Sequence, residues 1–245
     1  MLHRDQAPGV HRLTVAHTNM YLVETDDGIL LVDAGLPGFW QPLQRALAAI
    51  GRRPEDVEGV VLTHGHFDHV GLARRIRTRW GVPVWVSAGD AGLAAHPYSY
   101  RPERARLLYP LRHPRGLPAL AAMAVAGALG VRGLRDARVM EAGERLPGDP
   151  TIVPTPGHTA GHISLLLPDS DALIVGDAIV TLDPYTGAAG PQIVAQAATA
   201  DSPQALRSLD ALAATDASIV LTGHGEPWRD GIGAAVEAAR AVGAH

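Results

Sequence analysis

The sequence contains no cysteine, so neither a disulfide framework nor a thiolate metal site is available to this protein. Lysine is absent as well, and every basic side chain is an arginine. This excludes a lysine nucleophile, a lysine Schiff base and a lysine clamp for an oxyanion. Any transition metal must therefore be held by imidazole and carboxylate groups, for which the 12 histidines are the natural candidates.

A surplus of positive charge and a membrane-spanning apolar segment are also missing. The formal net charge of −4 argues against a partner with a phosphate backbone, and so against nucleic acid. The longest apolar run, residues 117–131, falls short of the roughly 20 residues of a bilayer span, and the first residues lack the apolar stretch of a secretory signal. We expect a cytoplasmic enzyme that acts on a small molecule and has no membrane partner.

The chain has 245 residues, 47% of them apolar, which is enough to form one compact domain over residues 1–245. Apolar β-rich runs alternate with segments of helical spacing, which predicts a mixed α/β fold with helices that cover sheets. The predicted strands are residues 20–24, 29–32, 57–62, 83–86, 151–154, 163–167, 172–175 and 218–221. The predicted helical segments are residues 41–50, 72–80, 101–129, 203–214 and 232–242.

Residues 96–135 interrupt this alternation of strands and helices. The segment contains Tyr98, Tyr100 and Tyr109, several arginines and prolines, and then the apolar run PALAAMAVAGALG. We interpret it as a helical insertion that forms a lid or a dimer surface, which leaves a homodimer open. A core helix over residues 120–129 is the alternative. As a lid, the segment would cap a pocket for a mostly apolar acyl substrate.

The most informative motif is THGHFDHVG at residues 63–71, which directly follows the apolar run VEGVVL. His64 and His66 would point the same way on an extended continuation of that strand. Asp68 and His69 would follow in a turn. Neutral imidazoles and a carboxylate suit zinc, iron or manganese, so this segment can offer four ligands to more than one ion.

Four further residues follow strand candidates later in the chain. In TPGHTAGH, proline and glycine fix a tight loop that favours His158 as a ligand, whereas we expect His162 to support the site without binding metal. Asp177 ends the apolar run LIVGDA, where a partly desolvated carboxylate needs positive charge or a metal as its partner. His224 lies between glycines in LTGHGEP, after the last predicted strand. An ordinary structural or turn residue is the alternative for each.

In this order, HxHxDH, the histidine of TPGHT, the aspartate of GD and the histidine of GHG resemble the ligand set of the metallo-β-lactamase superfamily. The resemblance implies a four-layer αββα sandwich and two divalent ions, with zinc expected and iron or manganese as alternatives. It assigns His64, His66 and His158 to one ion, Asp68, His69 and His224 to the other, and Asp177 as the bridge. Asp33 of VDAG matches an acid that supports the metal site from behind, with a simple turn aspartate as the alternative.

The resemblance also implies a reaction. A hydroxide shared by two ions roughly 3.5 to 4 Å apart would attack an acyl carbonyl, and Asp68 would orient it as the catalytic carboxylate. We therefore predict a dinuclear metal-dependent hydrolase that cleaves an ester, lactone or thioester bond of a small molecule.

Branches of the superfamily differ in features that can be compared with this sequence. The hydroxyacylglutathione hydrolases and the homoserine lactonases resemble it in the ligand set. The chain ends soon after His224, however, without the glutathione-binding helical domain, and Tyr185 lies further from Asp177 than the lactonase tyrosine does. Persulfide dioxygenases, with a single iron on a subset of the ligands, are the first alternative. β-Lactam hydrolysis is the second, although lactamases usually have cysteine or serine in place of Asp177.

Overall fold

A computed structural model of the protein describes residues 1–106, 109–141 and 143–245. The chain divides into two units, each with its own internal packing. The first unit comprises Met1–Ser99 and Met123–Pro150, and the second comprises Tyr100–Ala122 and Thr151–His245. The predicted insertion of residues 96–135 is divided between the two units. The expectation of a single domain over residues 1–245 stays a prediction.

A seven-stranded sheet forms the first unit, within the part of the chain that the structure describes. In spatial order its strands are β1 (Leu2–Ala7), β2 (Val10–Val15), β3 (Thr18–Glu24), β4 (Ile29–Val32), β5 (Val57–Val61), β6 (Val84–Val86) and β7 (Arg138–Val139). The first four strands pair in antiparallel fashion, and β4 to β7 run parallel. Because β4 and β5 are parallel neighbours, Asp33 and the HGHFDH segment leave the sheet side by side.

The helices of the first unit pack their apolar side chains into a core against this sheet. They are α1 (Trp40–Ala49), α2 (Phe67–Val70), α3 (Ala73–Trp80) and α4 (Ala91–Ala95). In α1 the buried residues are Leu43, Ala46 and Leu47, whose spacing of three and four places them on one face. Helix α3 ends at Gly81, which adopts a left-handed φ of +75°.

The second unit contains a four-stranded sheet in the order β13, β10, β9, β8 and a separate ribbon of β11 and β12, among its described residues. These strands are β8 (Thr151–Pro154), β9 (Ile163–Leu167), β10 (Ala172–Gly176), β11 (Val180–Leu182), β12 (Ala189–Gln192) and β13 (Ile219–Thr222). The helices are α5 (Tyr109–Arg112), α6 (Leu117–Val125, of which residues 117–122 belong to this unit), α7 (Ser202–Ala213) and α8 (Gly231–Val242). Asp177 and His224 follow β10 and β13, which are parallel neighbours.

The helical prediction over residues 101–129 is wrong in its extent. Among the described residues of that stretch only α5 and α6 are α-helical, and residues 107 and 108 lie outside the description. Pro114 starts a separate 3-10 turn, since proline cannot continue an α-helix, and Gly127 turns the chain at a φ of +96°. Met123 is buried while Val125 and Leu129 are largely exposed, so only one face of the segment belongs to the core.

The eight predicted strands are present with bounds that differ by two residues at most, which confirms the mixed α/β class. Strands β1, β2, β7, β11 and β12 were not predicted. No helix in the described ranges is both long enough and apolar enough to cross a lipid bilayer.

Candidate metal centre

Four predicted ligands lie directly after β5. His64 and His66 are in irregular backbone beyond the end of the strand, and Asp68 and His69 are in the short helix α2. The ring centroids of His64 and His66 are 4.8 Å apart, and those of His64 and His69 are 4.2 Å apart. All four side chains are buried. The first unit thus gathers three imidazoles and a carboxylate out of bulk water, where a charge without a partner would be costly.

Asp33 supports two of these histidines from the end of β4. Its φ of +66° is a left-handed conformation that aspartate adopts more readily than most residues. Its carboxylate accepts the Thr63 backbone N–H at 2.8 Å and lies 2.8 Å from Nδ1 of His69. The Thr63 hydroxyl is 3.0 Å from Nδ1 of His64 and 2.9 Å from Asp33. Because Nδ1 is engaged in both rings, Nε2 is the nitrogen that can bind a metal ion.

The loops that carry Asp33 and His69 are joined to each other by backbone hydrogen bonds. The Ala34 N–H donates to the His69 carbonyl at 2.7 Å, and the Leu72 N–H donates to the Ala34 carbonyl at 2.9 Å. The Gly71 N–H donates to the carbonyl of Gly35 at 2.7 Å. A Cβ at Gly71 would lie 2.4 Å from that same oxygen, so only glycine permits this approach.

Two neighbours fix the segment between the ligands. The Gly65 N–H donates to the buried carboxylate of Asp90 at 2.8 Å. Phe67, which separates His66 from Asp68, stacks on Tyr98 with ring centroids 5.6 Å apart and an interplanar angle of 15°. Asp90 is not among the residues predicted from the sequence, because it becomes a neighbour of this loop only through folding.

The second unit brings the other three predicted ligands together. Asp177 lies beyond β10, and its Oδ2 atom is 3.5 Å from Nε2 of His158 and 3.3 Å from Nε2 of His224. These side chains are 4%, 2% and 1% exposed, respectively. Two donor atoms that are each about 2.1 Å from a tetrahedral zinc ion are about 3.4 Å apart, so Asp177 lies at a suitable distance to share an ion with His158 and to share an ion with His224.

The loop that presents His158 is defined by Gly157 and Thr199. Gly157 has a φ of +134°, and a Cβ there would lie 2.1 Å from the backbone nitrogen of Ala205 in α7. The Thr199 hydroxyl is 3.3 Å from Nδ1 of His158 and donates to the carbonyl of Val194 at 2.7 Å. Since that hydroxyl hydrogen is given to Val194, the hydroxyl oxygen accepts from Nδ1, which leaves Nε2 as the metal-binding nitrogen.

His162 uses both of its ring nitrogens in hydrogen bonds within the second unit. Its Nε2 accepts the backbone N–H of Asp177 at 3.1 Å, so the ring proton is on Nδ1, which lies 2.8 Å from the Thr155 hydroxyl. This arrangement holds the backbone of Asp177 and is incompatible with a direct bond from His162 to a metal.

The donor set fits a transition metal. All seven predicted ligands are buried. Five of the seven are imidazoles and two are carboxylates, ligand types that suit zinc, iron and manganese. Metal binding would therefore explain why seven titratable side chains are buried, since buried groups of this kind destabilise the fold when they have no partner.

Two of the three tyrosines of residues 96–135, Tyr98 and Tyr109, have different surroundings. The Tyr98 hydroxyl donates to the Ala128 carbonyl at 2.5 Å and accepts the Val131 N–H at 2.9 Å. Burial raises the pKa of Tyr98, and the negative charge of Asp68 adds to that rise although the bond from Val131 opposes it. Tyr109 is buried, and its hydroxyl donates to a backbone carbonyl at 3.0 Å. The expectation that residues 96–135 cap a pocket for an acyl substrate stays a prediction.

Comparison with known proteins places this arrangement in a family. The sequence profile of the Metallo-beta-lactamase superfamily matches residues 13–224. The probable metallo-hydrolase YflN of Bacillus subtilis (strain 168) is 28% identical in an alignment of 249 positions, which includes 91% of this chain and 86% of YflN.

Two solved structures show the same fold. The metallo-beta-lactamase family protein TTHA1429 from Thermus thermophilus superposes with a TM-score of 0.66 at 24% identity, over 94% of this chain and 77% of that one. TTHA1623, solved in a di-iron-bound form, superposes with a TM-score of 0.62 at 24% identity, over 93% of this chain and 96% of its own. Because the profile match covers most of the sequence and runs to His224, this chain belongs to the metallo-β-lactamase superfamily.

Proposed function

We propose that the protein is a metal-dependent hydrolase that cleaves an ester, lactone or thioester bond of a small molecule. The observation that carries this proposal is the position of Asp177, whose buried Oδ2 lies 3.5 Å from Nε2 of His158 and 3.3 Å from Nε2 of His224. A buried carboxylate facing two imidazole nitrogens at these distances suits metal binding. The similarity to the probable metallo-hydrolase YflN supports hydrolysis as the reaction.

The ligand order of the superfamily assigns the seven residues to two ions. We assign one ion to His64, His66 and His158, the other to Asp68, His69 and His224, and Asp177 to both. When bound, such ions activate water near neutral pH and polarise the carbonyl of a substrate. Zinc suits these ligands, and iron is tested beside it because TTHA1623 was solved with two irons bound.

The side chains of the protein would hold the reacting groups in place. Asp33 and Thr63 fix the tautomer and the ring orientation of His69 and His64, which keeps each Nε2 aimed in one direction. Asp68 has its Oδ2 at 3.9 Å from Nε2 of His69. From there its carboxylate would orient the attacking water and accept its proton.

The first experiment measures metal content by elemental mass spectrometry and activity on a panel of lactones, thioesters and simple esters. Chelation should abolish hydrolysis, and zinc, manganese or iron should restore it, with two equivalents of metal per chain. The preferred member of the panel identifies the substrate class. About one equivalent of iron without hydrolysis would overturn the proposal in favour of persulfide oxidation.

A variant pair tests the role of Asp177 itself. Asp177→Ala should lose one or both ions and the activity, because a buried ligand is removed. Asp169→Ala changes an exposed aspartate of the same unit and should keep both. An Asp177→Ala protein with full metal content and full activity would contradict the shared-ligand assignment.

A further inference from the structure

Two adjoining clefts lie along α3 in the first unit, with volumes of about 540 and about 370 Å³. Arg74, Thr78 and Arg132 line both, so the clefts form one groove. The basic and hydroxyl side chains of this arginine groove are Arg74, Arg75, Thr78, Arg79, Arg132 and Arg135. Both volumes lie within the range of sites for small molecules.

The positive charge of the arginine groove is hardly neutralised. Within the described part of the chain, none of its five arginines forms an ion pair with a carboxylate. Asp136 also lines the larger cleft, but its carboxylate lies 3.7 Å from Nε of Arg77, outside the groove lining. The chain as a whole carries a net charge of −4, so this concentration of arginines is a local feature. Such a patch attracts anions.

One wall of the arginine groove is a regular helix. Arg74 lies one turn before Thr78, and Arg75 lies one turn before Arg79, so these pairs stack along α3. The Arg75 guanidinium lies 4.0 Å from the ring centroid of Trp40, a cation–π contact that orients it.

The opposite wall is packed against α4 through its backbone. The Leu134 N–H donates to the carbonyl of Ala94 in α4 at 2.9 Å. A Cβ at Gly133 would lie 2.2 Å from a backbone oxygen of the same helix, so only glycine permits this packing. Leu134 is buried, whereas Arg132 and Arg135 are exposed. The two arginines thus extend from a backbone segment that is packed against α4.

We propose that the arginine groove binds a small polyphosphate-bearing molecule. The guanidinium fork matches phosphate oxygens in pairs, and several arginines suit a di- or triphosphate better than a single carboxylate. The groove volume fits a small molecule, and the negative net charge disfavours a long nucleic acid. Among the described residues its lining includes no predicted metal ligand, so the inference is independent of the proposed hydrolase activity.

The test is calorimetric titration of the intact, metal-loaded protein with inorganic pyrophosphate. The double variant Arg74→Gln, Arg132→Gln should bind pyrophosphate about tenfold more weakly or worse, since two charge-assisted contacts are removed. Arg207→Gln, which changes an exposed arginine in α7, should bind as the unmodified protein does. All three side chains are exposed, so unchanged melting temperatures are expected and serve as the folding control.

Three results would overturn the proposal. Equal weakening by Arg207→Gln would indicate unspecific attraction. Binding that persists in the double variant and disappears in His158→Ala would place pyrophosphate at the metal ligands. Tighter binding of single-stranded DNA or of phosphatidylserine vesicles through Arg74 and Arg132 would make the groove a macromolecular interface.

Discussion

Asp33 and His69 are 36 positions apart in the sequence, yet a carboxylate oxygen of Asp33 lies 2.8 Å from Nδ1 of His69. The same carboxylate accepts hydrogen bonds from the backbone and the hydroxyl of Thr63, which in turn contacts His64. One acid outside the histidine motif therefore orients two of its histidines.

Replacing Asp33 with asparagine should lower metal affinity about 10- to 100-fold. Asparagine keeps the size and tolerates the left-handed φ of +66°, but it offers His69 a neutral amide in place of a carboxylate. Competition with a coloured chelator measures the change. Asp149→Asn is the matched control, since Asp149 is exposed with a φ of +45° and should bind metal normally. Equal affinities for both variants would refute a supporting role for Asp33.

Thr199→Val should weaken metal binding, whereas Thr199→Ser should preserve it. Valine keeps the shape of threonine but removes the hydroxyl, which leaves the carbonyl of Val194 without its donor and Nδ1 of His158 without its acceptor. A buried loss of this kind costs about 1–3 kcal/mol. Thermal melts of metal-free protein and chelator competition separate the effect on folding from the effect on the metal. Similar values for valine and serine would show that the hydroxyl does not position His158.

Gly157→Ala should destabilise the protein more than Gly190→Ala. Both glycines have a positive φ, of +134° and +102°, so both substitutions strain the backbone. Only at position 157 would the new Cβ also collide, at 2.1 Å from the backbone nitrogen of Ala205, whereas at position 190 nothing lies within 4 Å. We expect about 1–3 kcal/mol for the strain and more than that for the collision. Denaturant melts give both values, and equal losses would contradict the described packing of the His158 loop.

The stability of the second unit should depend on the protonation of His245. Its hydrogen bond to Asp183, at 3.2 Å from Nε2 to Oδ2, raises the pKa of His245 although partial burial lowers it. A raised pKa in the folded state means that the stabilisation is complete below the ordinary pKa of about 6.5 and is lost as the pH rises through the raised value.

The comparison of His245→Gln with the unmodified protein isolates this contribution. The difference in melting temperature should be largest near about pH 6 and should shrink toward about pH 9, because only the protonated imidazole gains from the carboxylate. A difference that stays constant across this range would show that the hydrogen bond stabilises both protonation states equally.

Much of the sheet structure could be predicted because apolar runs bounded by turn residues are distinctive. The predictions for residues 29–32, 151–154 and 163–167 agree with β4, β8 and β9 to the residue. Strands β1 and β2 escaped prediction because polar residues interrupt their pattern. In β2, for example, Arg12 is fully buried. A charged side chain inside a strand gives no sign in the sequence that it will be buried.

The predicted metal ligands could be proposed from the sequence because histidines and aspartates follow predicted strand ends there, whereas the residues that hydrogen-bond to them could not be proposed. Thr63 begins the histidine motif, but nothing in the sequence indicates that it contacts both Asp33 and His64. Thr199 lies 41 positions from His158 and reaches it only through the packing of the second unit. Contacts of this kind depend on tertiary structure, which local sequence patterns do not encode.

The backbone hydrogen bonds between the loops of Asp33 and His69 should protect their amide protons from exchange with solvent. The amides of Ala34, Gly71 and Leu72 donate at 2.7, 2.7 and 2.9 Å to carbonyls of the other loop. In deuterated water they should be among the last to exchange, because their exposure requires the two strand ends to part. Protein that has merely lost its metal would keep these protons, and protein that has unfolded would not. Retention of hydrogen at these three amides can therefore distinguish loss of metal from unfolding, two events that would both abolish activity.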